Sequence, residues 1–385
     1  MKSKLTFMAL MTGAALAATA AAAQTTPFKL GTFQAGGRQF LGLVLGEDRV
    51  LDIAAANAAY QKGHPKAAKM AIPTDMKVLI ERYDAGLGGR LKAIANADTA
   101  AKGAAYEHAV AKLKVLPPTR PEVILNAGAN YPEHAQGIQA QGGRGAGSEN
   151  NAGAAPRPAG PPAGGPPAGG PPRAGAQSAP GLWEREAGDT RSDNPYLFLK
   201  SPSVVVGAND DVVIPKGRVN IDWECEFAVV IGKTAKSVSV KDAPNYIFGY
   251  SIEFDVSDRG GRGDRKMGGG PDWLVQKNHD TFAPIGPFIV PKEFIKDPMN
   301  TRHFFTLNGE MKQDSNTSRM EYNIWDNTAY ATHVMTLHPG DFISMGTPPG
   351  TNIDRPDARW MRAGDVGVCT VEGVGRQRHN IVAER

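Results

Sequence analysis

The sequence has little cysteine and little net charge. Its 385 residues include two cysteines, Cys225 and Cys369, and neither lies near the N-terminus, which excludes a lipoprotein with an acylated cysteine there. Each lies in a strand-like segment, so the pair could form one disulfide in an oxidising compartment or remain as two buried thiols. The formal charge of +4 gives no strong field towards nucleic acid or an anionic membrane, so small solutes are the expected partners.

Long apolar runs are also scarce. Beyond the N-terminus, no segment approaches the roughly 20 apolar residues that a transmembrane helix needs. At the N-terminus, Lys2 and Lys4 precede an apolar stretch that begins at Leu5 and a small-residue run that ends at Ala23. This pattern is typical of a signal peptide over residues 1–23, cleaved after Ala23, and predicts a periplasmic or secreted protein. An uncleaved membrane anchor or a disordered alanine-rich tail is the alternative.

Residues 24–116 predict a small α+β domain. Short strands separated by turns read FKLGTF, QFLGLVLG and RVLDI, and apolar residues then recur at helical spacing over 53–61, 74–83 and 91–113. The proline-rich LPPTRP ends this unit. The unit contains no chemical motif, so a functional site is expected in residues 117–385.

Two segments of different composition follow. Residues 137–181 are dominated by Gly, Pro and Ala and predict a disordered insertion, because they bury too little apolar surface to offset the entropy of ordering. From Asn194 onwards, short apolar strands alternate with glycine and proline turns, and helical spacing recurs only near Ala243 and over 322–337. The predicted fold class is α+β and β-rich, with a rolled or barrel-like sheet.

Three acidic residues form the clearest candidate site. In the strand-like segment DWECEFAVVIG, period two places Glu224 and Glu226 on one face and Cys225 on the other. Neighbouring carboxylates repel unless a cation, water or a proton intervenes, and Asp255 in the apolar strand FGYSIEFDVS could complete a cluster. Three oxygen ligands suit Mg²⁺, Mn²⁺ or Ca²⁺ and leave positions open for substrate. The alternative is the solvated face of an edge strand.

Other polar residues are candidates with weaker patterns. His134, on a loop beside Glu133, could act as a general base near neutral pH. Arg259 and Lys277 could offset the carboxylate charge and hold an anionic substrate. Each of these could equally be a solvated surface residue. The segment ending in GTPPG could present backbone N–H groups and the Thr347 hydroxyl to a ligand, or form an ordinary loop.

Several motifs occur together in one known family. The sequence resembles the fumarylacetoacetate hydrolase family through ordered segments, namely NAGANYPEHA, PYLFLKSPSVVVGANDDVVIP, DWECEFAVVIGK, GYSIEFDVSDR, QKNHDTFAPIGPFIV, NGEMKQDSNTSRM and LHPGDFISMGTPPG. Residues 28–116 look like the small domain that often precedes the catalytic one. The resemblance covers nearly all of the chain apart from the signal peptide and the insertion, and it implies a mixed β-roll that usually forms a homodimer.

The resemblance also implies roles for individual residues. Magnesium or a similar ion is bound in this family by an E-x-E pair and an aspartate, which correspond to Glu224, Glu226 and Asp255. Lys277 matches a lysine that contacts substrate, and His134 matches the histidine that activates water in hydrolytic members. Further substrate-pocket positions are matched by Arg259, Tyr131 and Thr347.

One position departs from the family pattern. Many members have a glutamate three residues after this histidine, where it forms a His–Glu pair that polarises water, but Gly137 stands there in this chain. Glu133, on the other side of His134, is a candidate replacement.

The resemblance implies one function and leaves two alternatives open. The expected enzyme is a divalent-metal-dependent hydrolase, with Mg²⁺ or possible substitutes Mn²⁺ and Ca²⁺, that cleaves a C–C bond in a small 2,4-dioxo acid such as an acylpyruvate. The same cluster could serve an isomerase or decarboxylase of hydroxymuconate-type diacids, which the missing glutamate favours. A non-catalytic exported binding protein with the same fold is the third hypothesis.

Overall fold

The computed structural model describes residues 25–98, 103–140, 189, 191, 194–262, 272–355 and 359–385. The predicted signal peptide lies outside these residues, as does the predicted insertion from residue 141 onwards. Among the described helices, none is long and apolar enough to cross a membrane.

The N-terminal unit is a five-stranded antiparallel sheet covered by helices. The elements are β1 (Lys29–Ala35), β2 (Arg38–Leu45), β3 (Arg49–Asp52), α1 (Ile53–Gly63), α2 (Met76–Glu81), α3 (Gly88–Asp98), β4 (Glu107–Ala109) and β5 (Lys114–Leu116). The sheet order is β4-β3-β2-β1-β5. The first helix begins at Ile53 because the Asp52 side chain accepts from the N–H groups of Ala54 and Ala55.

The helical pattern predicted over residues 91–113 is wrong at Glu107–Ala109, which form strand β4. Strand β4 pairs with β3, and Glu107 forms an ion pair with Arg49 at 3.0 Å. Strand β5 pairs with β1. Sheet pairing therefore overrides a helical spacing of apolar residues in this alanine-rich segment.

The larger unit is built from a mixed eight-stranded sheet and a mixed five-stranded sheet. The strands are β6 (Ile124–Ala127), β7 (Leu197–Lys200), β8 (Val205–Gly207), β9 (Val212–Ile214), β10 (Ile221–Asp222), β11 (Cys225–Ile231), β12 (Ile247–Phe254), β13 (Ser257–Asp258), β14 (Ala283–Ile285), β15 (Val290–Pro291), β16 (Arg302–Leu307), β17 (Glu310–Asn316), β18 (Phe342–Ser344), β19 (Val366–Val371) and β20 (Gly375–Ala383). The eight-stranded sheet has the order β7-β6-β18-β11-β12-β14-β8, with β15 paired to β12, and the five-stranded sheet has the order β17-β16-β19-β20-β9. Strands β10 and β13 form a separate pair.

Three short α-helices accompany these strands: α4 (Pro132–Ala140), α5 (Trp273–Lys277) and α6 (Ile324–Val334). The predicted insertion begins at residue 137, but α4 continues to Ala140. Proline at the first helical position and Glu133 in the first turn both favour a helix start there. His134 consequently lies in a helix, and its predicted loop position is wrong.

Strand β11 is buried along its whole length because it separates two cores. Phe227 and Val229 point into the core between the two large sheets, whereas Ala228 and Val230 pack against the core shared with the N-terminal unit. A disulfide joins Cys225 to Cys369 of β19, with a Cα–Cα distance of 5.4 Å. The open question of paired or free cysteines is thus resolved in favour of the pair, which ties the two large sheets together.

Candidate active site

Glu224, Glu226 and Asp255 come together where two neighbouring strands end. Strands β11 and β12 pair antiparallel with Cys225 opposite Phe254, so the start of β11 lies beside the end of β12. One carboxylate oxygen from each of the three acidic residues lies within 4.8 Å of the others, and all three side chains are buried. The alternative of a solvated edge strand is wrong, because β11 is hydrogen-bonded to β12 on one side and to β18 on the other.

Two of the predicted cations bind this acidic cluster, defined as Glu224, Glu226 and Asp255. The Lys277 ammonium, at the end of α5, donates to Glu224 Oε2 at 2.8 Å and to Asp255 Oδ2 at 2.6 Å. The Arg259 guanidinium donates to Glu224 and, at 3.1 Å, to Asp222 Oδ2. Lys277 is buried and the Arg259 side chain is only 9% exposed, so the alternative of solvated surface charges is wrong for them.

Lys200 is a third buried cation at the site and is missing from the sequence-based candidates. Its ammonium donates to Asp255 Oδ1 and, at 2.6 Å, to the Phe282 carbonyl oxygen, and it lies 4.0 Å from Glu253 Oε1. A usable signal is present in the segment PYLFLK, where a single lysine ends an apolar strand. Lysine is rarely fully buried unless it is paired, so such a residue indicates an acidic partner in the interior.

The site contains more negative than positive charge. Five buried carboxyl groups face the three cations Lys200, Arg259 and Lys277: Asp222, Glu224, Glu226, Glu253 and Asp255. If all of these groups are ionised, a divalent cation supplies the two missing positive charges. Carboxylate oxygens are the preferred ligands of Mg²⁺, Mn²⁺ and Ca²⁺. The donor set and its charge balance therefore fit a divalent metal ion.

The pKa values of the acidic residues reflect this imbalance. Burial, together with the charges of Asp255 and Glu224, raises the pKa of Glu226 well above its usual range. Burial also raises the pKa of Glu253 to about 7, although Lys200 opposes the shift. At Glu224, burial opposes ionisation, but the attraction of Lys277 and Arg259 prevails and lowers the pKa. Within the acidic cluster, Glu226 is thus the carboxyl group whose ionised form a bound cation would stabilise most.

The partner of His134 is an aspartate far away in sequence. His134 Nδ1 lies 2.8 Å from Asp354 Oδ1, and the two side chains are only 5% and 8% exposed. Glu133, the candidate replacement for the missing glutamate, instead accepts from Arg319 near the surface. Glu133 is therefore wrong as the histidine's partner.

Two predicted substrate-binding hydroxyl groups lie in the interior, bonded to other side chains. The Tyr131 hydroxyl is 3.2 Å from His303 Nε2, and burial and the charge of Glu226 raise the pKa of Tyr131. Thr347 Oγ1 accepts from Gln313 Nε2 at 2.8 Å. Their contact with a substrate stays a prediction.

Comparison with known proteins connects this geometry to a family. The model of the fumarylacetoacetate (FAA) hydrolase C-terminal domain matches residues 173–382. The chain belongs to the fumarylacetoacetate hydrolase family. It is 39% identical over 182 residues to the mitochondrial oxaloacetate tautomerase Fahd2a of Rattus norvegicus, a match that covers 47% of this chain and 57% of that protein. It is 40% identical over 200 residues to an uncharacterized protein of Pyrococcus abyssi, covering 52% of this chain and 85% of that protein.

Solved structures have the same fold. Maleylpyruvate hydrolase from Sphingobium sp. SYK-6, in complex with manganese(II) ion and pyruvate, is 25% identical with a TM-score of 0.61, covering 93% of this chain and 100% of that one. The 5-carboxymethyl-2-hydroxymuconate delta-isomerase from Mycobacterium smegmatis is 22% identical with a TM-score of 0.58, covering 93% of this chain and 99% of that one. At this identity the likeness shows a shared fold alone. The predicted family and α+β fold are confirmed. The chain is an enzyme of this family, so the non-catalytic hypothesis is set aside.

Proposed function

We propose that the enzyme is a divalent-metal-dependent hydrolase that cleaves a C–C bond in a small 2,4-dioxo acid of the acylpyruvate type. The observation that carries this proposal is the acidic cluster together with a buried His134–Asp354 pair, whose imidazole lies near enough to Glu224 to favour the ionised form of that residue. The likeness to a maleylpyruvate hydrolase that holds manganese and pyruvate, along the whole of that chain, supports it.

In this proposal, the acidic cluster binds the metal ion and His134 acts as the general base. Glu224, Glu226 and Asp255 would hold the ion, which when bound supplies Lewis-acid stabilisation of negative charge on the oxo-acid oxygens. With Nδ1 engaged by Asp354, the other ring nitrogen of His134 is the one that can take a proton from water. Water adds to the acyl carbonyl carbon, the C–C bond breaks, and the electron pair leaves on pyruvate, which then takes up a proton. Arg259 and Lys277 add positive charge that favours an anionic substrate.

A product assay tests the proposal. Acylpyruvates and maleylpyruvate are incubated with the Mg²⁺- or Mn²⁺-loaded protein, and pyruvate and the released acid are quantified. We expect one pyruvate per bond cleaved, with activity lost after chelation and restored by metal. Full activity in the metal-free protein, or substrate consumption without release of an acid, would contradict the proposal.

Tautomerisation of a small oxo acid is the second candidate. It is favoured by the 39% identity to an oxaloacetate tautomerase. This reaction moves a proton between carbon and oxygen and requires no water. Ultraviolet absorbance of the enol form of oxaloacetate, followed alongside acid release from acylpyruvates, separates the two candidates, because a tautomerase accelerates only the first. Isomerisation or decarboxylation of hydroxymuconate-type diacids would be detected in the same way by product analysis.

We further propose that Mg²⁺ is the working ion, that the enzyme is a homodimer, and that it is exported to the periplasm or secreted after cleavage behind Ala23. The Cys225–Cys369 disulfide supports export, because such bonds persist mainly in oxidising compartments. Metal analysis, light scattering and N-terminal sequencing of protein from fractionated cells test these three points. A cytoplasmic protein that retains Met1 would contradict export.

A further inference from the structure

The disulfide lies directly behind the acidic cluster. Cys225 stands between Glu224 and Glu226 in the chain. The two glutamate side chains point into the cluster, whereas the Cys225 sulfur is bonded to Cys369 on β19, so the sulfur and the carboxylates lie on opposite sides of the strand. Both cysteines are fully buried. A covalent bond to the second large sheet is therefore attached at the residue that separates two of the three metal-ligand candidates.

The same part of the second sheet supports the chain neighbours of the cluster. Cys369 pairs with Phe305 of β16 in the sheet register. The Trp223 ring stacks on the Phe305 ring with a centroid distance of 5.7 Å, and the Phe254 ring does so at 5.2 Å. Trp223 precedes the first glutamate of the cluster, and Phe254 precedes its aspartate. Each acidic residue of the cluster thus has a neighbour in the chain that is fixed on the Phe305–Cys369 pair.

Backbone pairing holds the beginning of β11 on one side. The register with β12 starts at Cys225, whereas the register with β18 covers Ala228–Val230. The Cys225 N–H donates to the Gln313 side chain at 3.1 Å instead of to a neighbouring strand. The position of the two glutamates therefore depends on side-chain links, and the disulfide is the one that does not dissociate without a redox reaction.

Charge repulsion within the cluster gives this link a function. Five buried carboxyl groups face three cations at the site, so Glu224 and Glu226 repel each other when both are ionised to accept a metal ion. Ligands that move apart in the free protein must be brought together on binding, which lowers the affinity for the ion, whereas ligands already held in place bind without that cost. The disulfide opposes such a movement from the rear of the strand.

We propose that the Cys225–Cys369 disulfide is the positioning element for the metal-ligand residues, so that the affinity for a divalent ion depends on it, as well as the stability of the fold. Protein that folds with both thiols reduced therefore loads metal poorly, which restricts full activity to the oxidised enzyme. This inference rests on the proposed metal site but not on the proposed substrate.

The Cys225→Ala/Cys369→Ala variant tests the proposal. Mn²⁺ is titrated into the purified, metal-free protein, and the free ion is quantified by electron paramagnetic resonance. We expect Mn²⁺ to bind about tenfold or more weakly than to the oxidised wild type, as for other changes around metal ligands. At saturating Mn²⁺, kcat should fall less than the affinity does, because the bound ion then holds the carboxylates together.

Leu307→Ala is the matched control. Leu307 is buried in the same core, on β16, two residues beyond Phe305, and its truncation leaves the disulfide intact. This variant should also lose stability, yet bind Mn²⁺ nearly as tightly as the wild type. An Mn²⁺ affinity that falls equally in both variants, or that keeps its wild-type value in the cysteine variant, would overturn the positioning role.

Wild-type protein in two redox states gives a second test without any substitution. Unfolded protein is treated with a dithiol, which transfers two electrons and two protons to the bond and leaves two thiols on the protein and a disulfide on the reagent. Protein refolded without an oxidant should bind Mn²⁺ about tenfold or more weakly than protein refolded with oxidised glutathione. If one disulfide-free form does not fold, as judged by circular dichroism, the other supplies the comparison. Equal affinity in the two redox states would contradict the proposal.

The outcomes separate this inference from the proposed function. Mn²⁺ binding that weakens only where the disulfide is absent supports the positioning role, even in a protein that cleaves no acylpyruvate, and that failure overturns the proposed substrate alone. A wild-type protein that binds no Mn²⁺ in the oxidised state would overturn both.

Discussion

The acidic cluster and the His134–Asp354 pair lie in one site but are completed in different ways. In the cluster and its surroundings, five buried carboxyl groups face three cations, so charge balance requires bound protons or a cation from solution. In the pair, the imidazole and the carboxylate satisfy each other at 2.8 Å. The comparison teaches that the acidic cluster depends on a partner from solution for its charge balance, whereas His134 has its partner within the chain.

The largest effect should come from removing one carboxylate of the cluster. Glu226→Gln keeps an oxygen for the Gly346 N–H, which now donates to Glu226 Oε2 at 2.9 Å, but removes a charge. We expect kcat/KM to fall by about 100-fold or more, since even changes around metal ligands cost roughly 10–100-fold. We also expect the metal-free variant to be more stable than wild type, by on the order of 1 kcal/mol, because folding of the metal-free wild type must protonate Glu226, whose pKa is raised, and the neutral amide avoids that cost.

Steady-state kinetics of the metal-loaded variant measures the expected loss of kcat/KM, and urea unfolding in the presence of a chelator measures the expected gain in stability. If Glu226→Gln keeps the wild-type activity, or if its metal-free form is less stable than the metal-free wild type, the cluster lacks the charge imbalance described.

The next largest effect is expected from removing the disulfide that joins the two large sheets next to the cluster. Replacing Cys225 and Cys369 by serine removes a cross-link between residues 144 positions apart. We expect the free energy of unfolding to fall by about 2–5 kcal/mol, as for other native disulfides. Urea titration of the double variant beside the oxidised wild type measures this. A loss below roughly 0.5 kcal/mol would mean that the bond adds little to the junction of the two sheets.

A smaller effect should appear in the pH dependence of the metal-free protein. The folded-state pKa values of Glu226 and Glu253 are raised, the latter to about 7, so the folded protein binds more protons than the unfolded chain above the usual carboxyl pKa. Stability must therefore fall as pH rises from 5 to 8, by about 1–3 kcal/mol, and saturating Mn²⁺ should weaken this dependence. Thermal melting across this range measures it, and a metal-free stability that rises with pH would contradict the imbalance.

The smallest effect is expected at Glu133. Its ion pair with Arg319 joins side chains that are 40% and 49% exposed, and such pairs contribute less than about 1 kcal/mol. Glu133→Gln should change kcat by less than about twofold. A loss of about 100-fold or more would instead make Glu133 the functional partner of His134.

The two halves of the site also differ in how far the sequence predicts them. Glu224, Glu226 and Asp255 follow from strand periodicity and from adjacent antiparallel strands, so local pattern is enough to suggest the cluster. Asp354 lies 220 positions from His134, and no spacing rule connects them. The available signal was indirect: the family resemblance implies a glutamate where this chain has Gly137, which raises the question of whether an acid elsewhere replaces it.

The same limit applies to the fold. The α+β class and the β-rich second unit are predictable from alternating strands and glycine turns. The strand at 107–109 is not, because it falls in a segment whose apolar spacing also fits a helix, and only pairing with β3 decides between the two. Lys200 shows the same dependence on distant residues, since its acidic partners come from β12 and the chain just after it.

A crystal structure of the protein with Mn²⁺ and pyruvate tests the central claim most directly. The account predicts an anomalous manganese peak within coordination distance of oxygens of Glu224, Glu226 and Asp255, with pyruvate completing the coordination. Manganese bound elsewhere, with these three carboxylates engaged only by Lys200, Arg259 and Lys277, would contradict it.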